Sequence, residues 1–262
     1  MQSSDTPTAI PETLEVLYQD EHIIAINKPS GLLVHRSPID RHETRFAIQL
    51  LRDQIGQYVY PAHRLDKPTS GVLLFGLSAQ VAAELGQTFS NHNIKKSYIA
   101  VVRGYCPSHG HIDHPLTEIT DQRIVKSQTA AAQSAVTDFQ LLGQHQLDVE
   151  IETYPQSRYS LLALQPLTGR RHQLRRHLKH ISHPIIGDAK YGRGRHNRYC
   201  AEQLECPRLL LHAAQQRFKH PVSGAELCIN APIDTCFDGL LQRFSWQNAL
   251  PVEWRSKKVT KL

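Results

Sequence analysis

The chain has 262 residues, with 30 Lys+Arg against 24 Asp+Glu, a formal charge of +6 and 40% hydrophobic residues. That balance excludes a wholly disordered chain. No apolar run approaches the ~20 residues of a membrane-spanning helix; the longest are short, such as GVLLFGL at 71–77.

In chain order, MQSSDTPTAIPE (1–12) has neither the basic start nor the apolar stretch of a secretory signal and is expected as a disordered leader. LEVLYQD (14–20) and HIIAINK (22–28) alternate in β-rich residues and predict a hairpin, with LVH (33–35) extending its sheet. RFAIQLLRDQ (45–54) carries apolar positions at helical spacing. GVLLFGLS (71–78) predicts a strand buried on both faces. AQVAAELGQTFSNHN (79–93) predicts a helix capped by Ser78, and SYIAVVRG (97–104) a strand. Residues 105–133 are polar and read as an excursion with short strands.

SAVTDFQLL (134–142), QLDVEIET (146–153) and RYSLLALQP (158–166) predict three consecutive strands. GRRHQLRRHLKHI (169–181) predicts a helix and 187–207 a polar loop. HAAQQRFKHP (212–221) and AELCINAP (225–232) predict strands, and TCFDGLLQRF (235–244) a closing helix. Strands with interspersed helices, outside strict βαβα order, give an α+β fold. One domain is expected over 13–246, and 247–262, ending RSKKVTKL, as a solvated tail. The five cysteines are odd in number and form no C-x-x-C, which argues against a disulfide framework or Cys-rich zinc site and fits a reducing cytoplasm.

Chemistry concentrates in two segments. In HRLDKPTSG (63–71), Asp66 sits between Arg64 and Lys67, ahead of a turn rich in hydroxyl groups. Nearby cations favour the ionised carboxylate, which can then serve as nucleophile or base; a surface salt-bridged turn is the bland reading. The G-x-S-x-G pattern of a hydrolase serine is absent. In the second segment, Leu174, Leu178 and Ile181 fall on one helical stripe beside the row Arg171, Arg175 and Lys179, with Arg170 and Arg176 adjacent. Such a row can hold a carboxylate and phosphates, or simply face solvent. His172, His177, His180 and His183 recur there without acidic partners before Asp188, so no metal is expected. Lys28 opens the tight turn KPSG (28–31), and KKSY (95–98) sets Tyr98 beside two cations, which suits base stacking or a half-buried strand position. No G-x-G-x-x-G, H-E-x-x-H or EF-hand pattern supports a nucleotide or metal cofactor.

KPSG (28–31), HRLDKPTSG (63–71), KKSYIA (95–100), TGRRHQLRRHL (168–178), HPIIGDAKYG (183–192) and LLLHA (209–213) occur in this order. Over roughly residues 14–235 the chain resembles the RluA-type pseudouridine synthases. The resemblance implies a mixed, mostly antiparallel, bent sheet with flanking helices and a central RNA-binding cleft. It implies isomerisation of uridine to pseudouridine without a cofactor, in tRNA at uridine 65 of the T stem, with 23S rRNA as the alternative substrate and a non-catalytic RNA-binding protein as a reading from another class. By the resemblance, Asp66 is the catalytic carboxylate, Tyr98 stacks on the target base and assists proton removal at C5, and Arg175 pairs with Asp66. Arg64 fills the space of the flipped base and Leu211 is the apolar wall for uracil. His63, Lys28, Arg170, Arg171 and Arg176 are expected on the RNA side, and the enzyme as a cytoplasmic monomer.

Overall fold

The computed structural model describes residues 12–36, 42–91, 93–118, 131–255 and 259–261. In chain order these form β1 (Glu15–Gln19), β2 (Ile23–Lys28), α1 (Ala47–Ile55), β3 (Tyr60–Pro61), β4 (Ser70–Gly76), α2 (Ala79–Ser90) and β5 (Lys95–Arg103). Then come β6 (His109–Asp113), β7 (Leu116–Thr117), β8 (Ala132–Gln133), β9 (Val136–Leu147), β10 (Ser157–Pro166), α3 (Gln173–His180) and α4 (Gly194–Glu202). β11 (Leu211–Lys219), β12 (Glu226–Asn230), α5 (Thr235–Arg243) and β13 (Val259–Lys261) complete the chain. Among the described residues no helix is long and apolar enough to cross a membrane.

Eleven strands form one mixed sheet along the path β1-β2-β4-β11-β5-β10-β9-β6, with β3, β12 and β13 attached at its sides. Every pairing in it is antiparallel except β4 with β11, where Ser70 faces His212 and Gly71 faces Ala213. The two strands come so close at this seam that a Cβ on Gly71, whose φ is +110°, would overlap the Ala213 carbonyl. Only glycine fits there.

β2 and β4 show why the sheet centre is buried on both sides. Ile24, Ile26, Leu73 and Phe75 pack with Ala47 and Leu51 of α1. The alternate residues Ile23, Ala25, Val72 and Leu74 pack with Val81 and Leu85 of α2. This is the period of two that a doubly covered strand requires. Ser78 caps α2 as expected, accepting from the Val81 N–H at 3.2 Å.

Several local expectations are corrected. Residues 33–35 do not extend the sheet; Leu33 makes an isolated parallel bridge to Phe46, at the start of α1. Segments 134–142 and 146–153 are not two strands, because β9 runs unbroken from Val136 to Leu147 and the chain turns only after it. Gly143 permits this, since a Cβ there would strike the Trp246 indole packed across the strand. The loop at 187–207 contains α4, which buries His196 and Cys200 one turn apart. Cys206 and Cys236 form a disulfide with Cα atoms 5.4 Å apart, against the expectation of free thiols. The fold brings them together across 30 residues, a separation with no local signature. The C-terminal segment is built in: Leu250 and Trp254 join the core and β13 pairs with β12. The leader at 1–11 lies outside the described residues.

Candidate active site

Asp66 stands in the turn that feeds β4, at the parallel seam. The Thr69 N–H closes that turn on the Asp66 carbonyl at 3.0 Å, and Gly31 N–H donates to the Lys67 carbonyl at 2.9 Å. Ser30 Oγ donates to the Pro68 carbonyl at 2.7 Å. Lys28 completes the brace: its Nζ donates to the carbonyls of Pro29 and Leu32 at 2.8 Å each and of Lys67 at 3.1 Å. The side chain is fully buried, so the expectation that Lys28 faces RNA is corrected. Burial pulls its pKa down to about 7.

His63 is tied into the same region of the sheet. Its Nε2 accepts from the Leu74 N–H and from Gln216 Nε2 at 3.2 Å each, and its ring packs on Phe89 with centroids 4.2 Å apart. Burial, with the Lys96 charge adding to it, pushes its pKa down to about 3. The imidazole is neutral at pH 7 and half-buried. Beneath the seam, Arg208 pairs with Asp234 and donates to Ser70 Oγ at 2.6 Å. Ser70 then donates to His212 Nδ1 at 2.8 Å, leaving His212 Nε2–H for the Ala231 carbonyl at 3.0 Å. Burial and the Arg208 charge keep His212 neutral, with a pKa near 3.

Against Asp66 the sheet sets α3. Gln173 anchors its start: Nε2 donates to the Val136 carbonyl and Thr137 Oγ1, while Oε1 accepts from Thr168 Oγ1 and the Arg170 N–H. Arg175, only 6% exposed, is thereby aimed at the Asp66 turn. Its Nε and Nη2 donate to the two Asp188 oxygens at 2.7 and 2.8 Å, and its Nη1 reaches Asp66 Oδ2 at 3.1 Å. Burial opposes the Arg175 charge, but the hydrogen bonds and charges of Asp188 and Asp66 outweigh it and raise its pKa. For Asp188 burial acts upward, yet Arg175 and the N–H groups of Tyr191 and Lys190 win and hold the carboxyl below its usual range.

Asp188 owes its place to Gly187, at φ +79°, where a Cβ would meet the Arg208 carbonyl. Asn197 of α4 accepts from the Gly187 N–H at 2.8 Å and donates to the Asp188 carbonyl at 2.9 Å. His172 lies on the other side of Asp66, in a left-handed conformation with φ +56°. Its Nε2 is 3.7 Å from Asp66 Oδ1 and its Nδ1 is 3.0 Å from the Tyr191 hydroxyl. Burial, reinforced by Arg175, Arg171 and Lys190 against the pull of Asp66, lowers its pKa to about 4. The Asp66 carboxylate favours the tautomer with Nε2–H toward it, which leaves Nδ1 to accept from the Tyr191 hydroxyl.

Tyr98 on β5 faces Ala213 across the strands, half-buried. Burial and the Asp66 charge raise its pKa far above neutrality, so it is a phenol and a poor base at pH 7. Leu211 shares the Tyr98 face of the sheet and is 2% exposed. Arg64 is exposed two residues before Asp66. Arg170 and Arg176 are half-exposed and bond the Ser134 and Thr117 carbonyls at 3.0 and 2.9 Å; Arg171 is half-buried.

Sequence reasoning thus pairs Asp66 with Arg175 but misses Asp188, His172 and Tyr191. The available signal was an acid directly after a glycine in HPIIGDAKYG, facing an arginine-rich helix that has no acid of its own. The resulting centre is a partly exposed carboxylate, oriented by a guanidinium that a second, buried carboxylate makes rigid. It can attack an electrophilic carbon or take a proton in a site where low dielectric strengthens each charge interaction.

The RNA pseudouridylate synthase family model matches residues 22–180. The chain is 49% identical over 239 residues to tRNA pseudouridine synthase C of Vibrio cholerae, covering 90% of this chain and 98% of the relative. It is 50% identical over 236 residues to tRNA pseudouridine synthase C of Pasteurella multocida, covering 89% and 97%. Among solved structures, human RNA pseudouridylate synthase domain containing 1 superposes with a TM-score of 0.67 at 26% identity, over 90% of each chain.

Proposed function

Because the chain belongs to the RNA pseudouridylate synthase family, we propose that it converts uridine 65 in the T stem of tRNA to pseudouridine, with Asp66 as the catalytic carboxylate. The tRNA substrate is supported by the relatives named tRNA pseudouridine synthase C. The position is supported by the resemblance of segments 17–37, 52–78 and 169–188 to tRNA pseudouridine-65 synthase.

In the reaction the N1–C1′ bond breaks, the uracil turns, and C5 bonds to C1′ while its proton moves to N1; no other reactant enters. A side chain does not reach a base inside an A-form stem, so the nucleotide is flipped out at a cost of a few kcal/mol. Arg64, exposed beside the Asp66 turn, occupies the vacated space, and phosphate contacts offset the cost. Asp66 acts on the exposed nucleoside at C1′, at uracil C6 or on a ribose proton; each route needs one oriented carboxylate oxygen at the sugar–base junction. Tyr98 lies against the base as a neutral phenol.

The observation that carries this reading is the Asp66–Arg175–Asp188 chain: two carboxylates share one guanidinium, one enclosed and one at the opening. The test is Asp66→Asn, assayed by tritium release from [5-³H]uridine tRNA and by mapping pseudouridine in tRNA and in 23S rRNA. Loss of turnover with tRNA binding retained is expected. Normal pseudouridine formation by the variant overturns the role of Asp66, and modification of rRNA alone overturns the tRNA substrate.

A further inference from the structure

We propose that the concave pocket behind Tyr191, lined by Lys179, Lys190 and Arg193, is an anion subsite that takes a backbone phosphate of the substrate RNA next to the flipped nucleotide. This rests on the RNA-modifying function above and adds a binding site to it.

The pocket has a volume of about 360 Å³, and its lining includes Arg103, Lys179, Ser182, Lys190, Tyr191 and Arg193 but no carboxylate. Arg103 is already committed, to Glu152 at 3.3 Å and to His196 at 3.2 Å. Lys179, Lys190 and Arg193 are exposed, and none is paired with a carboxylate among the described residues. Like charges held around one concavity repel unless an anion joins them, and a concave wall focuses their field.

The location ties the pocket to RNA rather than to a free ion. Tyr191 is the partition: Lys179 and Lys190 approach its ring at 5.9 and 5.6 Å, and Arg175, the partner of Asp66, lies over the same ring at 5.2 Å. One aromatic ring therefore separates the pocket from the catalytic centre. The loop that buries Asp188, through the Lys190 and Tyr191 N–H groups at 2.9 Å each, also presents Lys190 and Arg193, while Lys179 comes from α3, the helix that carries Arg175. A strand whose uridine enters the site has its neighbouring phosphates within reach of this loop.

The test uses full-length protein and Lys179→Ala/Arg193→Ala, with Lys179→Glu as a charge reversal at an exposed site. tRNA binding is measured from 50 to 200 mM salt, and KM and kcat for pseudouridine formation are separated. The double variant is expected to raise KM about tenfold or more with kcat within twofold, and to reduce the salt slope by about 0.7–0.9 for each phosphate that is no longer neutralised. An unchanged slope and KM overturn the proposal. Loss of inorganic phosphate binding, with the tRNA slope unchanged, also overturns it in favour of a free anion. The parent protein reports separately on the function itself: if it forms no pseudouridine in tRNA, that reading fails, while the slope comparison still decides the pocket.

Discussion

Asp188 holds Arg175 from behind: both carboxylate oxygens take guanidinium N–H groups, at 2.7 and 2.8 Å, and a third N–H is left to point at Asp66, 3.1 Å away. A planar fork gripped on one edge does not rotate, so the remaining edge presents a fixed donor. Asp188 is therefore a positioning residue, acting on Asp66 through Arg175.

Asp188→Asn keeps the shape but sets an amide N–H₂ against guanidinium donors. Breaking a buried pair costs about 3–5 kcal/mol, to be read from urea unfolding. Misplacing the donor is expected to lower kcat about 100-fold while KM for tRNA stays nearly constant. Single-turnover kinetics check the split, and a kcat equal to the parent's rejects the positioning role.

Lys28→Met separates a structural lysine from an RNA-contacting one. The carbonyls of Pro29 and Leu32 lose their Lys28 donor, while that of Lys67 keeps the Gly31 N–H. Each unsatisfied group costs about 1–3 kcal/mol, so the melting temperature falls and kcat drops as the Asp66 turn loosens. The salt slope of tRNA binding stays the same, because an enclosed ammonium releases no counterion. A slope reduced by about one would return Lys28 to the RNA side.

Acid sensitivity follows from His172, His63 and His212, whose pKa values lie at about 4, 3 and 3 in the fold against an ordinary 6.5. Below 6.5 the unfolded chain binds protons that the folded chain refuses. This stability is complete above that pH and is lost as pH falls toward 4 and then 3. Each histidine contributes a slope of about 1.4 kcal/mol per pH unit inside its window. Urea midpoints at pH 7.5 and 5.0 measure the sum, and His212→Gln is expected to show the shallower dependence.

Gly71→Ala tests the parallel seam. The added methyl meets the Ala213 carbonyl, and the +110° φ disfavours any side chain. A loss of more than about 1 kcal/mol is expected, with activity falling as the Asp66 turn shifts. A variant as stable and active as the parent would show that the seam tolerates spreading.

What the sequence made legible was type and period. β4 reads correctly because seven consecutive small or apolar residues demand cover on both faces. α2 reads correctly because its cap and stripe agree, and Asp66 and Arg175 because their motifs are dense in charge. Direction was not legible. Lys28 looks like a ligand of RNA in one dimension, and only the register of β2 turns it inward, while His63 is half-covered by its packing on Phe89 of α2. Gly143 and its Gln–His neighbours look like a turn until Trp246 covers the strand. α4 has only two buried positions and shows no apolar period, yet through Asn197 it fixes Asp188, the residue most needed and least visible.

The β4–β11 seam also sets a time at which the enzyme can come into being. Strand β11 stands between β4, which follows Asp66, and β5, which carries Tyr98, although it is made more than a hundred residues after either. On a ribosome, a nascent chain that has not yet emerged through Lys219 has no strand with which to join the two halves of its centre. Chains that stop short of β11 lack the strand that joins the Asp66 turn to Tyr98 and are expected to form no pseudouridine.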